Sequence, residues 1–111
     1  MLIIIGQIEA SEGIALDKWL ALIKMHGALA SVPPRKGINP FTRQPCEYKA
    51  PTSTAIIRKG STDIGLIYWA MNGSPLLIVE AEWDACDIVA SIVEDIARSL
   101  AGRFERESYE K

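Results

Sequence analysis

The sequence predicts an α+β fold: a mostly antiparallel sheet, built from an N-terminal strand plus a three-stranded meander, with two helices on one face. Three observations predict it. A β-branched run opens the chain at Leu2–Ile8, two apolar stripes of helical period follow at 15–26 and 85–100, and three short strand patterns punctuated by turn residues lie between them. The expected order is strand, helix, arm, three strands, helix, with a possible short final strand. Placing both helices on one sheet face is the simplest way to bury both stripes. At 111 residues the chain is long enough for one core and too short for two, so a single domain spanning 1–111 is expected.

Leu2–Ile8 is almost unbroken in apolar residues, the pattern of a strand covered on both faces. Ser11-Glu12-Gly13 ends it. Leu16, Trp19, Leu20 and Ile23 then fall at i, i+3, i+4 and i+7, which predicts a helix over 15–26. Lys24 and His26 sit in its last turn, where positive charge suits the helix dipole, and Gly27 is placed for a left-handed cap. Ala28–Pro51 holds five of the six prolines, which excludes a regular helix or central strand. It reads as a Pro-rich loop or protruding arm over 28–51, or an extended two-stranded excursion.

Strand patterns return at Thr54–Arg58, Ile64–Met71 and Leu76–Ala81, separated by a turn at 59–63 and a hairpin at Asn72-Gly73. The last helix is the clearest element. Ala85, Ile88, Val89, Ile92, Val93, Ile96 and Leu100 trace one face, and Asp87, Ser91, Glu94, Asp95 and Arg98 the other. Asp84 is placed as its N-cap, Gly102 as its C-terminal cap, and Glu94 and Arg98 as an i, i+4 pair. Arg103–Tyr109 reads as a short final strand or a frayed end.

Apolar residues at 49% and charged residues at 23% place the chain among globular proteins rather than disordered tails. No apolar run reaches the roughly 18 residues of a membrane span, and Met1–Ile5 is too short for a signal-peptide core. A cytoplasmic protein without membrane partners is the expectation. Cys46 and Cys86 are too few for a disulfide framework, so reduced thiols are expected. The net charge of −2 conceals an asymmetry: residues 1–60 carry eight basic and four acidic side chains, residues 61–111 four and ten.

Few residues suggest chemistry. The one histidine, His26, would have to partner Cys46 or Cys86 in a Cys–His nucleophile pair, and it already suits a helix C-terminus. Cys86 falls in the first turn of the last helix, where a small thiol packs well. No serine-nucleophile, phosphate-loop or zinc pattern occurs, so the expectation is a non-enzymatic protein with no cofactor and no metal. Glu80, Glu82, Asp84 and Asp87 could converge on a hard cation, but no EF-hand spacing is present and a solvated strand end followed by first-turn helix acids is the favoured reading. Trp19, Tyr68 and Trp69 read as core rather than as a base-stacking platform, because their neighbours are apolar.

Arg35-Lys36-Gly37-Ile38-Asn39-Pro40-Phe41-Thr42 stands apart. Gly37 permits a bend, Asn39-Pro40 forces an extended residue before a turn, and Phe41 puts an apolar group near the turn's tip. Six basic residues (Arg35, Lys36, Arg43, Lys49, Arg58 and Lys59) face a single acid, Glu47, between 33 and 60. The segment 35–60 resembles the β-ribbon DNA-binding arm of the HU and integration-host-factor proteins. That resemblance implies Pro40 as a wedge between base steps, with the basic residues on phosphates. Ile38 stands where the arm has a second basic residue, Arg43 where it has glycine, and Pro45 interrupts the returning strand. The family's two-helix dimerisation body has no counterpart in this chain.

The residues themselves favour a small interaction domain (a regulator, an accessory subunit or a toxin-immunity type of protein) that binds a protein partner and/or itself. Its candidate contact residues are Arg35, Lys36, Ile38, Asn39, Pro40, Phe41 and Arg43. Nucleic-acid binding through the basic arm is the alternative.

Overall fold

Apolar period decides where the longer elements of this chain run and which way they face. The computed structural model describes residues 2–32, 35–38, 41–48 and 53–107. In chain order these form β1 (Leu2–Glu9), α1 (Leu16–Met25), β2 (Leu29–Ser31), β3 (Arg35–Ile38), β4 (Pro45–Tyr48), β5 (Thr54–Lys59), β6 (Thr62–Asn72) and β7 (Ser74–Glu82). A 3₁₀ turn at Trp83–Ala85, α2 (Cys86–Ser99) and β8 (Arg103–Arg106) complete the order. Six strands make one antiparallel sheet in the order β2-β5-β6-β7-β1-β8, and β3 and β4 pair separately. The fold is therefore α+β, with the N-terminal strand and the meander β5-β6-β7 at the centre of the sheet.

Alternation divides the sheet into two faces. Ile8, Leu77, Val79, Ala81, Ile67, Ala55, Ile57 and Leu29 share the inner face and are buried. Trp19 and Ile23 from α1, with Val89, Val93, Ile96 and Ala97 from α2, join them in one cluster, so both helices lie on that face. The indole of Trp19 donates to the Ser53 carbonyl at 2.8 Å, and that of Trp69 to the Ile14 carbonyl at 2.8 Å. Both rings thus bury their apolar bodies without leaving a donor unpaired. Gly65 lies on this face beneath α2, where a Cβ would come within 2.7 Å of the Glu80 carbonyl oxygen and 3.2 Å of Val89 Cγ2. The missing side chain is what lets the helix approach.

Several local expectations are corrected. Gly27 is not a left-handed cap: α1 ends at His26 in an extended conformation (φ −82°, ψ 126°), whose backbone N–H reaches the Leu22 carbonyl at 2.8 Å. Asp84 does not cap α2, because the 3₁₀ turn intervenes and Ala85 takes the N-cap position without a side-chain hydrogen bond. At the other end the left-handed residue is Ala101 (φ 53°), not Gly102. Gly102 N–H then donates to the Ala97 carbonyl at 2.8 Å and Ala101 N–H to that of Arg98 at 3.2 Å, the paired bonds of a Schellman ending. Gly102 is small for another reason, since a Cβ there would lie 2.8 Å from the Glu9 carbonyl oxygen. Arg98 pairs with Asp95 at 3.4 Å rather than with Glu94.

The stretch 28–51 is more regular than its prolines suggest. Leu29–Ser31 adds an edge strand to the main sheet, and 35–38 with 45–48 form the separate ribbon. Pro45 opens β4, a position where its missing N–H is tolerated. Tyr68 is not a core residue: its register with Ile78 places it on the outer face, away from the helices.

Candidate partner-binding ribbon

The two-stranded ribbon lies between β2 and β5 in the chain and forms a sheet of its own. Leu29↔Ile57 and Ser31↔Ala55 pair within the sheet; Arg35↔Tyr48, Lys36↔Glu47, Gly37↔Cys46 and Ile38↔Pro45 pair in the ribbon. Among the described residues, the ribbon's substantial contacts are those between its own strands. The molecule measures 46 × 32 × 27 Å. Its radius of gyration, 15.2 Å, exceeds the about 13 Å expected of a compact domain of this length.

Of the candidate contact residues, Arg35, Lys36 and Ile38 lie on β3, and Phe41 and Arg43 in the connection to β4. Asn39 and Pro40 lie outside the described residues. Phe41 is 94% exposed, the most exposed large apolar side chain described. Arg43 is left-handed (φ 58°), and Gln44 N–H donates to Thr42 Oγ1 at 3.4 Å, so the connection is held by local backbone geometry. A non-glycine residue at positive φ carries a cost that the turn must offset.

The residues singled out for chemistry are dispersed. His26 is engaged at both ring nitrogens: Nδ1 accepts from Ala28 N–H at 3.1 Å and Nε2 lies 3.0 Å from Asp95 Oδ2. Those contacts hold the Asp95 carboxyl below its ordinary range, the His26 hydrogen bond first and that of Arg98 second. Cys86 is buried in the first turn of α2, its thiol directed at the Trp83 and Glu82 carbonyls. Cys46 sits opposite Gly37 in the ribbon. Asp87 pairs with Arg106 at 2.9 Å, and among the described residues no three His, Cys, Asp or Glu side chains converge as metal ligands. A cleft of about 450 Å³ near Glu9, Ser11 and Arg103 is lined by neither His26 nor Cys86.

One feature escaped the sequence reading. On the outer face, burial first and the neighbouring Glu80 second push the Tyr68 hydroxyl above its ordinary range. The hydroxyl hydrogen-bonds to that carboxylate, which lies diagonally across from it in the β6–β7 register. Period-two alternation of Leu66, Tyr68 and Ala70 against Gly65, Ile67 and Trp69 carried the signal. No described helix is long and apolar enough to cross a membrane. Compared with protein-family models, with curated proteins and with solved structures, the chain matches none.

Proposed function

We propose that this chain is a non-enzymatic interaction domain whose ribbon, Arg35–Tyr48, engages a protein partner with Phe41 as its anchor. The exposure of Phe41, 94% at the turn between β3 and β4, carries this reading. Aromatic side chains inserted into a partner's pocket dominate interface energies, whereas charges at the rim chiefly steer encounter. The basic residues of 33–60 fit the second role, and an acidic patch on the partner would complement them.

A second reading is favoured by one observation. Within the segment resembling the HU-type arm, 35–38 and 45–48 pair as a two-stranded antiparallel ribbon, although 54–59 belongs to the main sheet. On that reading the basic residues meet phosphates and Phe41 is incidental.

Quantitative affinity capture separates the two. Wild type, Phe41→Ala and the triple variant Arg35→Ala/Lys36→Ala/Arg43→Ala are compared as bait after nuclease treatment. A stoichiometric protein lost with Phe41→Ala and retained, at lower yield, by the triple variant supports the proposal. Recovery of nucleic acid alone, abolished by the triple variant, overturns it.

A further inference from the structure

We propose that His26 is a proton-sensitive latch: a second proton on its ring, at Nδ1, releases the Ala28 N–H and opens the turn that leads α1 into the edge strand β2. The device lies in the body of the domain, so it goes beyond the ribbon reading above and does not rest on it. The place of the proton on the neutral ring follows from its two partners. A backbone N–H can only donate, so Nδ1, 3.1 Å from the Ala28 nitrogen, must present its lone pair. An ionised carboxylate can only accept, so Nε2, 3.0 Å from Asp95 Oδ2, must carry the hydrogen. The Nε2–H tautomer alone meets both contacts. Asp95 is itself anchored, since its other oxygen, Oδ1, accepts from Arg98 at 3.4 Å. These two donors hold its carboxyl below the ordinary range, the His26 bond first. It therefore stays ionised between about pH 5 and 8, where histidines ordinarily change charge.

Protonation acts on the two contacts in opposite directions. The Asp95 contact becomes an ion pair and strengthens. At Nδ1 a new N–H faces the Ala28 N–H, two donors where a donor and an acceptor stood, and that bond is lost. The His26 side chain is 18% exposed, so solvent protons reach it. Of the other charged side chains at this junction, Lys24 on α1 and Glu94 on α2 are exposed. Arg58 on β5, whose N–H meets the Ala28 carbonyl at 2.8 Å, pairs with Asp63 at 2.6 Å. The His26 carbonyl accepts the Leu29 N–H at 3.1 Å, so the ring and carbonyl of one residue together fold the Gly27-Ala28 turn. β2 pairs through only three residues, Leu29–Ser31, and the ribbon begins at Arg35. An edge strand this short depends on the turn that delivers it.

NMR of the full chain, uniformly labelled with ¹⁵N, reads this at the atoms concerned. On the alkaline side of the imidazole's titration, a coupling across the hydrogen bond should connect the Ala28 amide nitrogen to Nδ1, with the ring hydrogen on Nε2. As acid carries His26 through its titration, followed by its own ring shifts, that coupling should vanish. Hydrogen-exchange protection at Ala28 and Leu29, corrected for the direct effect of pH on exchange, should fall about two- to tenfold, the equivalent of one net hydrogen bond. Protection along α2 should hold. In His26→Asn the side-chain oxygen offers the same N–H an acceptor as an Asx turn but does not titrate, so protection at Ala28 should no longer depend on pH. Should that variant fail to fold, the wild-type coupling and protection decide alone. A neutral ring with its hydrogen on Nδ1 overturns the proposal. So does a coupling or a protection that survives the titration, or a fall of the same size in His26→Asn.

Discussion

His26 Nε2 and Asp95 Oδ2 lie 3.0 Å apart, joining the C-terminal end of α1 to the exposed side of α2 across 69 residues of sequence. The same imidazole accepts the Ala28 N–H through Nδ1, so one side chain closes a helix end and ties two helices together.

The pair sets an acid response. Hydrogen bonding from His26, then from Arg98, lowers the Asp95 carboxyl from its ordinary 3.8. A depressed carboxyl contributes stability above its unfolded-state value and loses it as pH falls through the lower folded-state value. The urea midpoint of the wild type should therefore drop as pH is taken below 3.8, and Asp95→Asn should flatten that drop. The two curves should converge at the acid extreme. Parallel curves would show that the carboxylate plays no part.

Ala101 holds a left-handed conformation (φ 53°) at the exposed end of α2. Alanine pays steric strain there that glycine avoids, so Ala101→Gly should stabilise by about 0.5–1 kcal/mol, net of glycine's greater unfolded entropy. Chemical denaturation reads this as a raised midpoint at unchanged slope.

Trp19 is fully buried and donates to the Ser53 carbonyl at 2.8 Å. Trp19→Phe keeps an aromatic ring but removes one of the two donors to that carbonyl, the other being the Trp69 N–H at 3.2 Å. The expected loss is about 1–2 kcal/mol by denaturant titration, from the lost hydrogen bond and the volume the smaller ring leaves empty.

Gly65→Ala tests the approach of α2 to the sheet. Its new Cβ would meet the Glu80 carbonyl oxygen at 2.7 Å, and a mid-strand backbone cannot yield as a side chain can. Destabilisation of about 1–3 kcal/mol is expected. Gly73→Ala offers a contrast: no neighbour lies within 4 Å of its Cβ, and its cost should come from the positive φ of 78° alone.

The sheet's centre and both helices were legible because each is written in a long apolar period: Leu2–Ile8, the stripe around Trp19 and Ile23, and the stripe from Ala85 to Leu100. Chain ends of helices were not. Asp84 and Gly27 have the right composition for caps, but a 3₁₀ turn and an extended His26 displaced them, and both depend on how the chain approaches the sheet. β2 went unread because three residues carry no period, and only pairing with β5 makes Leu29–Ser31 a strand. The apolar neighbours of Tyr68 point to the core, but the face it occupies follows from register, which one strand alone does not define. Gly37, read as permitting a bend, lies within β3 opposite Cys46, Asn39 and Pro40 lie outside the described residues, and the ribbon's strand pairing was obscured by Pro45.

The central claim is that the ribbon serves a protein interface rather than nucleic acid, and titration of a labelled DNA duplex at physiological salt tests it most directly. The account predicts no binding tighter than about micromolar, and whatever weak binding remains should be unchanged by Phe41→Ala. Duplex binding tighter than that, lost in Arg35→Ala/Lys36→Ala/Arg43→Ala and with a salt slope reduced by roughly one unit per lost phosphate contact, would contradict it.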